Sequence, residues 1–221
     1  MHESTSATRS AGGVPGSRKV GRKPVFTAAD VVAAAVAEGL DGFTLSAVAQ
    51  RLGVVTAAIY RLFPSRDDLV VACLDTAAAT LRTPAADADW RAALRLWADE
   101  CWRVCEEYPG LNRLVYSYPT AFTRIDHVLG QYAEVLGRSG RTPGQAMFAL
   151  DFIGDTVFAS HLGVESMRAS DESGDSGLDR VRGALDDGAA LKPQDSWADR
   201  GFVDKKVDFI IGGLERDWPE L

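Results

Sequence analysis

Two short helices joined by a tight turn are encoded near the amino terminus, and this pairing restricts the chain more than any other feature. One segment carries apolar residues at the i, i+3, i+4 and i+7 positions of a helix face: Leu45, Val48, Ala49 and Leu52. Thr44 before it is a helix-capping residue, and Gly53 after it supplies a stop and a permissive turn. The next helix is expected from Ala57 to about Leu62, where Pro64 closes it.

Helices are also predicted on both sides of this pair. Thr27, with Asp30 three residues later, resembles a capping box, and Gly39 ends the helix that this start predicts. Ser65 opens a fourth helix whose first turn holds acidic side chains. Three short helices are therefore expected to lead into a longer one.

Helical patterns continue to the carboxyl terminus, with no β-strand pattern or internal repeat among them. The predicted segments are Trp90–Glu107, Leu111–Tyr116, Ile125–Arg138, Pro143–Met167 and a last helix with an apolar stripe at Val203, Val207, Ile210, Ile211 and Leu214. Residues 169–179 are polar and contain glycine, which predicts a loop. The expected fold class is all-α: a flexible basic arm (1–20), a helix-turn-helix head (21–70) and a larger helical domain (71–221).

Charge is distributed unevenly along the chain. The net charge is −7, yet residues 18–66 hold seven basic side chains against three acidic ones: Arg18, Lys19, Arg22, Lys23, Arg51, Arg61 and Arg66 against Asp30, Glu38 and Asp41. A basic segment joined to an acidic remainder is typical of a DNA-binding head on a body that does not bind DNA.

The cysteine content and the hydropathy pattern bear on the compartment. Cys73, Cys101 and Cys105 cannot all pair and lack zinc-ligand spacing, so a reducing compartment suits them and no metal is expected. The first 25 residues contain no apolar stretch, and no uncharged run approaches the roughly 20 residues needed to cross a bilayer. A cytoplasmic protein without a membrane partner is therefore expected.

The amino-terminal segment closely resembles the DNA-binding segment of the tetracycline-repressor (TetR) family. The stretch runs from Phe26 to Val70, FTAADVVAAAVAEGLDGFTLSAVAQRLGVVTAAIYRLFPSRDDLV. The family-like points are Gly39, Thr44-Leu45, Ala49, Leu52-Gly53-Val54, Tyr60, Phe63, Ser65-Arg66 and Leu69. The resemblance implies a ligand-responsive transcriptional regulator, most often a repressor that a small molecule releases from its operator. Two residues depart from the family pattern: Val55 stands where a Ser or Thr often caps the recognition helix, and Leu62 where a His or Tyr is common.

The resemblance assigns the second helix of the pair to the major groove of double-stranded DNA. Base contacts are expected from the start of that helix and from one arginine: Val55, Thr56, Ala57 and Arg61. Phosphate contacts are expected from Thr44, Tyr60, Ser65 and Arg66, with the arm residues Arg22 and Lys23 along the minor groove. A homodimer reading a palindromic operator is implied, with the helices that begin at Pro143 and Val203 packing against their mates and Gly154, Gly212 and Gly213 permitting close approach.

The resemblance also places an effector cavity between the helices of the larger domain. Its expected lining comes from aromatic and imidazole side chains: Trp97, Trp102, Tyr116, Phe122, Phe148, Phe152 and His161. Effector binding would shift the fourth helix and so change the separation of the two heads.

The sequence also bears on three other functions. An enzyme is not expected, because the sequence has no glycine-rich phosphate loop, nucleophile elbow, cofactor motif or metal-ligand cluster. A redox-sensing regulator remains an alternative, because Cys101 and Cys105 share one helix face. The third is a dimeric interaction protein whose head no longer binds DNA.

Overall fold

The computed structural model describes residues 26–186, 188–190 and 192–221, and all regular structure in these ranges is helical. This confirms the all-α fold class. The described α-helices are α1 (Ala28–Glu38), α2 (Leu45–Arg51), α3 (Thr56–Tyr60), α4 (Arg66–Ala78), α5 (Trp90–Glu107), α6 (Leu111–Ser117), α7 (Asp126–Arg138), α8 (Pro143–Arg168), α9 (Gly177–Ala184) and α10 (Gly201–Arg216). Two 3₁₀ segments cover Ala121–Ile125 and Asp195–Ala198. The arm at residues 1–20 lies outside the described residues.

The head consists of α1 to α3 and the start of α4, and local capping defines its helices. Capping boxes open α1 at Thr27 and α4 at Ser65, as the sequence predicted for α1. Thr44 accepts a hydrogen bond from the backbone of Ala47 and caps α2. Gly53 adopts a φ of +66°, a left-handed conformation that glycine tolerates, and turns the chain from α2 into α3.

The recognition helix is short and starts without a side-chain cap. It begins at Thr56, one residue earlier than the sequence predicted, and ends at Tyr60, about two residues earlier. Val55 occupies the capping position and has no side chain that can accept a hydrogen bond. Pro64 limits any continuation of the helix, because the residue before a proline, here Phe63, is disfavoured in the helical region.

The larger domain is built around α5 and α8, with α7 and α10 packed against them. The predicted limits of α5 are confirmed, and those of α6 to α8 are confirmed to within one residue. The apolar stripe of α10 is buried against the chain's own core, so only the other face of α10 is open to a partner helix. Gly154 faces the indole of Trp97 inside the domain, so the close approach that this glycine permits is to a side chain of its own domain.

Three short elements escaped the sequence analysis: α9 and both 3₁₀ segments. The predicted loop at 169–179 is shorter than expected, because Ser176 and Asp179 form a capping box that starts α9 at Gly177. Of the segments that the structure describes, α8 alone has the length and hydropathy of a membrane-spanning helix. Its contacts with α5, α6, α7 and α10 are those of a central core helix.

Candidate nucleic-acid interface and internal cavity

One open face of the head brings together side chains from four separate places in the sequence. A shallow depression there is lined by the α1–α2 connection, the start of α2, α3 and the start of α4. Five of the residues predicted to contact DNA line it: Thr44, Thr56, Tyr60, Ser65 and Arg66. The sequence analysis missed Ser46, although a hydroxyl in the first turn of α2 was a usable signal.

The hydroxyl groups around this depression fall into two kinds. Those of Thr44 and Ser65 are engaged in capping: Ser65 Oγ lies 2.7 Å from Asp68 Oδ2, to which it donates. Within the described residues, Thr56 and Tyr60 make no side-chain hydrogen bond, and the Tyr60 ring is 51% exposed. These two side chains on α3 are therefore available to an external partner.

The remaining predicted base-contacting residues lie beside the depression. Val55 is 72% exposed at the start of α3, and Ala57 and Arg61 are exposed as well. The opposite side of α3 is anchored, because Ile59 is fully buried in the head core. Arg22 and Lys23 lie outside the described residues.

Arg66 points toward the protein rather than away from it. Its Nε donates to the carbonyl oxygen of Phe43 (3.1 Å), and its guanidinium lies 4.6 Å from the centre of the Phe43 ring. A second, longer bond reaches the carbonyl of Leu40. Arg66 thus holds the chain that precedes Thr44, which differs from the direct phosphate contact suggested by the sequence.

A cavity of about 390 Å³ lies in the larger domain, close to the head. Residues of α4 and α5 form one side and residues of α6, the first 3₁₀ segment and α8 the other; the lining includes Leu74, Ala77, Ala78, Trp97, Cys101, Val115, Tyr116, Phe122, Arg124, Leu129, Met147, Asp151, Gly154, Asp155 and Phe158. Because α4 continues directly from the head, a ligand in this cavity would contact the helix that carries the DNA-facing elements.

The structure places only part of the predicted lining in this cavity. Trp97, Tyr116 and Phe122 are there, whereas four others lie elsewhere: Trp102, Phe148, Phe152 and His161. Phe148 is half-buried against the domain core and Phe152 is exposed on α8, with ring centres 5.7 Å apart. We therefore leave these four out of the proposed lining.

His161 and Trp102 belong to a buried cluster between α5, α6 and α8. The Asn112 amide donates to His161 Nδ1 (2.9 Å) and to Glu165 (3.0 Å), and the Trp102 ring packs edge-on against the imidazole. Burial lowers the pKa of His161, although Glu165 and Glu106 oppose that shift. The histidine is therefore a neutral structural group at physiological pH.

Buried thiols do not favour the redox alternative. Cys101 and Cys105 are both buried, and burial raises the pKa of each thiol above its usual range. A neutral thiol is a poor nucleophile toward oxidants.

Polar contacts join the larger domain to α4 and to the head. Arg124, in the cavity lining, forms a two-pronged ion pair with Asp75 of α4 (2.6 and 2.7 Å). The backbone of Leu40 donates to the carbonyl of Pro109 (2.7 Å), at the turn before α6. At that turn Gly110 adopts a φ of +84°, and a Cβ there would lie 2.3 Å from the Asp41 carboxylate.

A short helix, a glycine turn and a second helix with an exposed outer face form a helix-turn-helix, which is joined here to a helical domain with a cavity. A family model described as bacterial regulatory proteins of the tetR family matches residues 30–73. The matched segment covers the head and most of α4, so the resemblance to this family rests on that part of the chain.

Comparisons with individual proteins agree with this resemblance. The chain is 37% identical, over 105 residues, to the HTH-type transcriptional repressor DrrR1 of Streptomyces coeruleorubidus. That match covers 45% of this chain and 39% of DrrR1, so it spans less than half of the curated relative.

Two solved structures have a similar fold. The TetR-family protein ActR of Streptomyces coelicolor, in complex with actinorhodin, aligns over 87% of this chain and 98% of its own, at 21% identity and a TM-score of 0.65. A TetR variant of Acinetobacter baumannii AYE, in complex with minocycline, aligns over the same shares at 20% identity and a TM-score of 0.54. At these identities the likeness is one of fold.

Proposed function

We propose that this protein is a homodimeric transcriptional regulator that binds double-stranded DNA through α3 and is released when a small molecule enters the cavity. The observation that carries the proposal is the open face of the head. There Thr56 and Tyr60 present side chains that have no hydrogen-bond partner within the described residues, beside the capped starts of α2 and α4. Hydroxyl groups and helix starts of this kind bind phosphate oxygens in protein–DNA complexes.

Sequence readout would come from the start of α3. Val55 and Ala57 offer methyl groups that fit the thymine methyl in the major groove, and Arg61 offers a bidentate contact to guanine. Arg66 keeps the backbone before Thr44 in place, so it acts as a positioning residue rather than as a phosphate ligand.

The electrostatic attraction to DNA would depend on the arm. Residues 26–70 contain three basic and five acidic side chains, so the described part of the head is not basic. The basic excess comes from four arm residues: Arg18, Lys19, Arg22 and Lys23. We expect them to supply much of the salt-dependent affinity.

Dimerisation would use the outer faces of α8 and α10. Three large aromatic side chains stand exposed there: Phe152 (46%), Phe202 (45%) and Phe209 (76%). Gly212 and Gly213 of α10 have open space where a Cβ would stand, which lets another helix approach closely. A two-fold dimer presents two α3 helices, so its operator would be palindromic.

Repression with release by an effector agrees with the names of the relatives. DrrR1 is named a transcriptional repressor, and ActR and the Acinetobacter TetR variant are described in complex with small molecules. A regulator of this kind works in the cytoplasm, where its operator is, and the match of the head to a family of regulatory proteins supports a non-enzymatic role.

The proposal is tested by titrating the full-length protein against the DNA upstream of its own gene at two salt concentrations. True DNA binding weakens steeply as salt rises. The double variant Thr56→Ala/Tyr60→Ala should bind at least about tenfold more weakly, because each lost contact is worth about 1–3 kcal/mol.

Thr76→Ala is the matched control, because Thr76 is an exposed threonine of α4 that does not line the depression. It should bind DNA like the parent. If the double variant also binds like the parent, α3 does not contact the DNA. If the parent shows no salt-dependent binding, the interaction-protein alternative is favoured.

A further inference from the structure

The chemistry of the cavity wall limits what the cavity can hold. Its lining is mainly apolar and includes four aromatic rings: Trp97, Tyr116, Phe122 and Phe158. The Trp97 ring is fixed in place, because its indole nitrogen donates to the carbonyl of Leu150 (2.8 Å). A flat apolar molecule can stack on such rings at little entropic cost.

Two carboxylates interrupt this apolar lining. Asp151 and Asp155 lie one helical turn apart on α8, and both line the cavity. Among the described residues neither has an ion-pair partner. The Tyr116 hydroxyl lies 3.3 Å from Asp155 Oδ1 and donates the only side-chain hydrogen bond that either carboxylate receives in the described ranges.

The cation that lines the cavity is already neutralised. Arg124 is held by both oxygens of Asp75 through its Nε and a terminal nitrogen. Its charge is therefore balanced by Asp75, and among the described residues no cation pairs with Asp151 or Asp155, whose side chains are exposed at the cavity wall.

Two groups in this part of the lining have raised pKa values. Burial, and secondly the neighbouring Asp155, raise the pKa of Asp151. Burial and Asp155 also raise the pKa of Tyr116 to about 12. The negative charge of Asp155 is the smaller cause in both cases, and a bound cation would offset it.

We propose that the cavity binds an aromatic organic cation, with its positive nitrogen beside Asp151 and Asp155 and its flat body against the rings of Trp97, Phe122 and Phe158. This rests on the proposed function, in which the cavity is the effector site. Carboxylates and aromatic faces both attract a positive nitrogen, so the two halves of the lining select the same class of ligand.

The test uses three planar tricyclic probes and the full-length protein without DNA. Proflavine is a cation near neutral pH, acridine is neutral on the same ring system, and anthracenecarboxylate is an anion. We expect proflavine to bind at least about tenfold more tightly than acridine, and the anion to bind most weakly. Fluorescence titration measures all three dissociation constants.

The double variant Asp151→Asn/Asp155→Asn should lose about tenfold in proflavine affinity and leave acridine affinity unchanged. Glu134→Gln/Glu172→Gln removes the same charge from exposed positions outside the lining and should bind all three probes like the parent. Circular dichroism checks that both variants are folded.

Two results would overturn the proposal: equal affinity for the cation and the anion, or a proflavine affinity that survives the loss of both carboxylates. Since no DNA is present, neither result bears on α3. Loss of operator binding in the separate DNA titration would refute the proposed function while leaving the probe result intact.

Discussion

The head and the larger domain satisfy their polar groups in different ways. In the head, most side-chain hydrogen bonds join residues three apart, as in the Thr27–Asp30 and Ser65–Asp68 capping boxes. In the larger domain, Glu100 is fully buried and is bound by Arg82, which lies 18 residues away in sequence. The head thus satisfies most of its polar side chains locally, whereas a buried carboxylate of the larger domain also depends on a distant segment.

The same chemical change made in each region should expose this difference. Glu100→Gln leaves Arg82 without a charged partner and Arg103 with Glu107 alone, and removing the buried member of such an ion-pair cluster costs about 3–5 kcal/mol of unfolding free energy. Asp30→Asn alters an exposed capping box and should cost clearly less. Urea unfolding of both variants measures the two losses; equal losses would contradict the comparison.

Glu100 also gives the domain a dependence on acid. Burial alone would raise its pKa, but hydrogen bonds from Arg103 and Arg82 lower the pKa to about 2. The group therefore stabilises the folded state above its ordinary value near 4.5, and this contribution disappears as the pH falls toward 2. Over that pH interval, the free energy of unfolding should fall more steeply for the parent than for Glu100→Gln.

The joint between the two regions should respond next most strongly. Gly110→Ala forces a Cβ against Asp41 and should cost about 2–4 kcal/mol, as the sum of a left-handed alanine and a steric clash. Gly140→Ala is the control, because Gly140 has a φ of +85° and open space around it, so only the backbone cost of about 1–2 kcal/mol remains. Thermal unfolding measures the stability lost in each variant. Equal losses would mean that the contact between residue 110 and Asp41 relaxes without an energetic cost.

The ion pair between Arg124 and Asp75 of α4 should have the smallest effect on stability. Arg124 and Asp75 are each more than a third exposed, so a double-mutant cycle should give a coupling energy below about 1 kcal/mol. We expect the Arg124–Asp75 pair to matter for how a ligand in the cavity changes DNA binding. Arg124→Ala should leave DNA affinity near the parental value and reduce the change in DNA affinity that a bound ligand causes. An unchanged effect of the ligand would mean that the pair does not transmit it.

Much of the fold could be predicted from local patterns. Helix starts and stops depend on single residues such as Thr27, Thr44 and Gly53, whose effects act over one turn, so the head and the limits of α5 followed from the sequence. The open face of the head also followed in part, because the order of residues from Thr44 to Ser65 resembles a known motif. The short 3₁₀ segments and α9 did not, because their patterns are too brief to distinguish from loops.

The amino-acid sequence by itself predicted that the chain is helical and which residues of the head share one open face. Only the tertiary structure decided which aromatic side chains line the cavity, because an aromatic residue on a helix serves a core, a surface or a cavity equally well. The turn of α8 relative to α5 and α6 placed Asp151 and Asp155 on the cavity and Phe152 outside it. That orientation depends on the packing of several helices at once, which no local pattern in the sequence records.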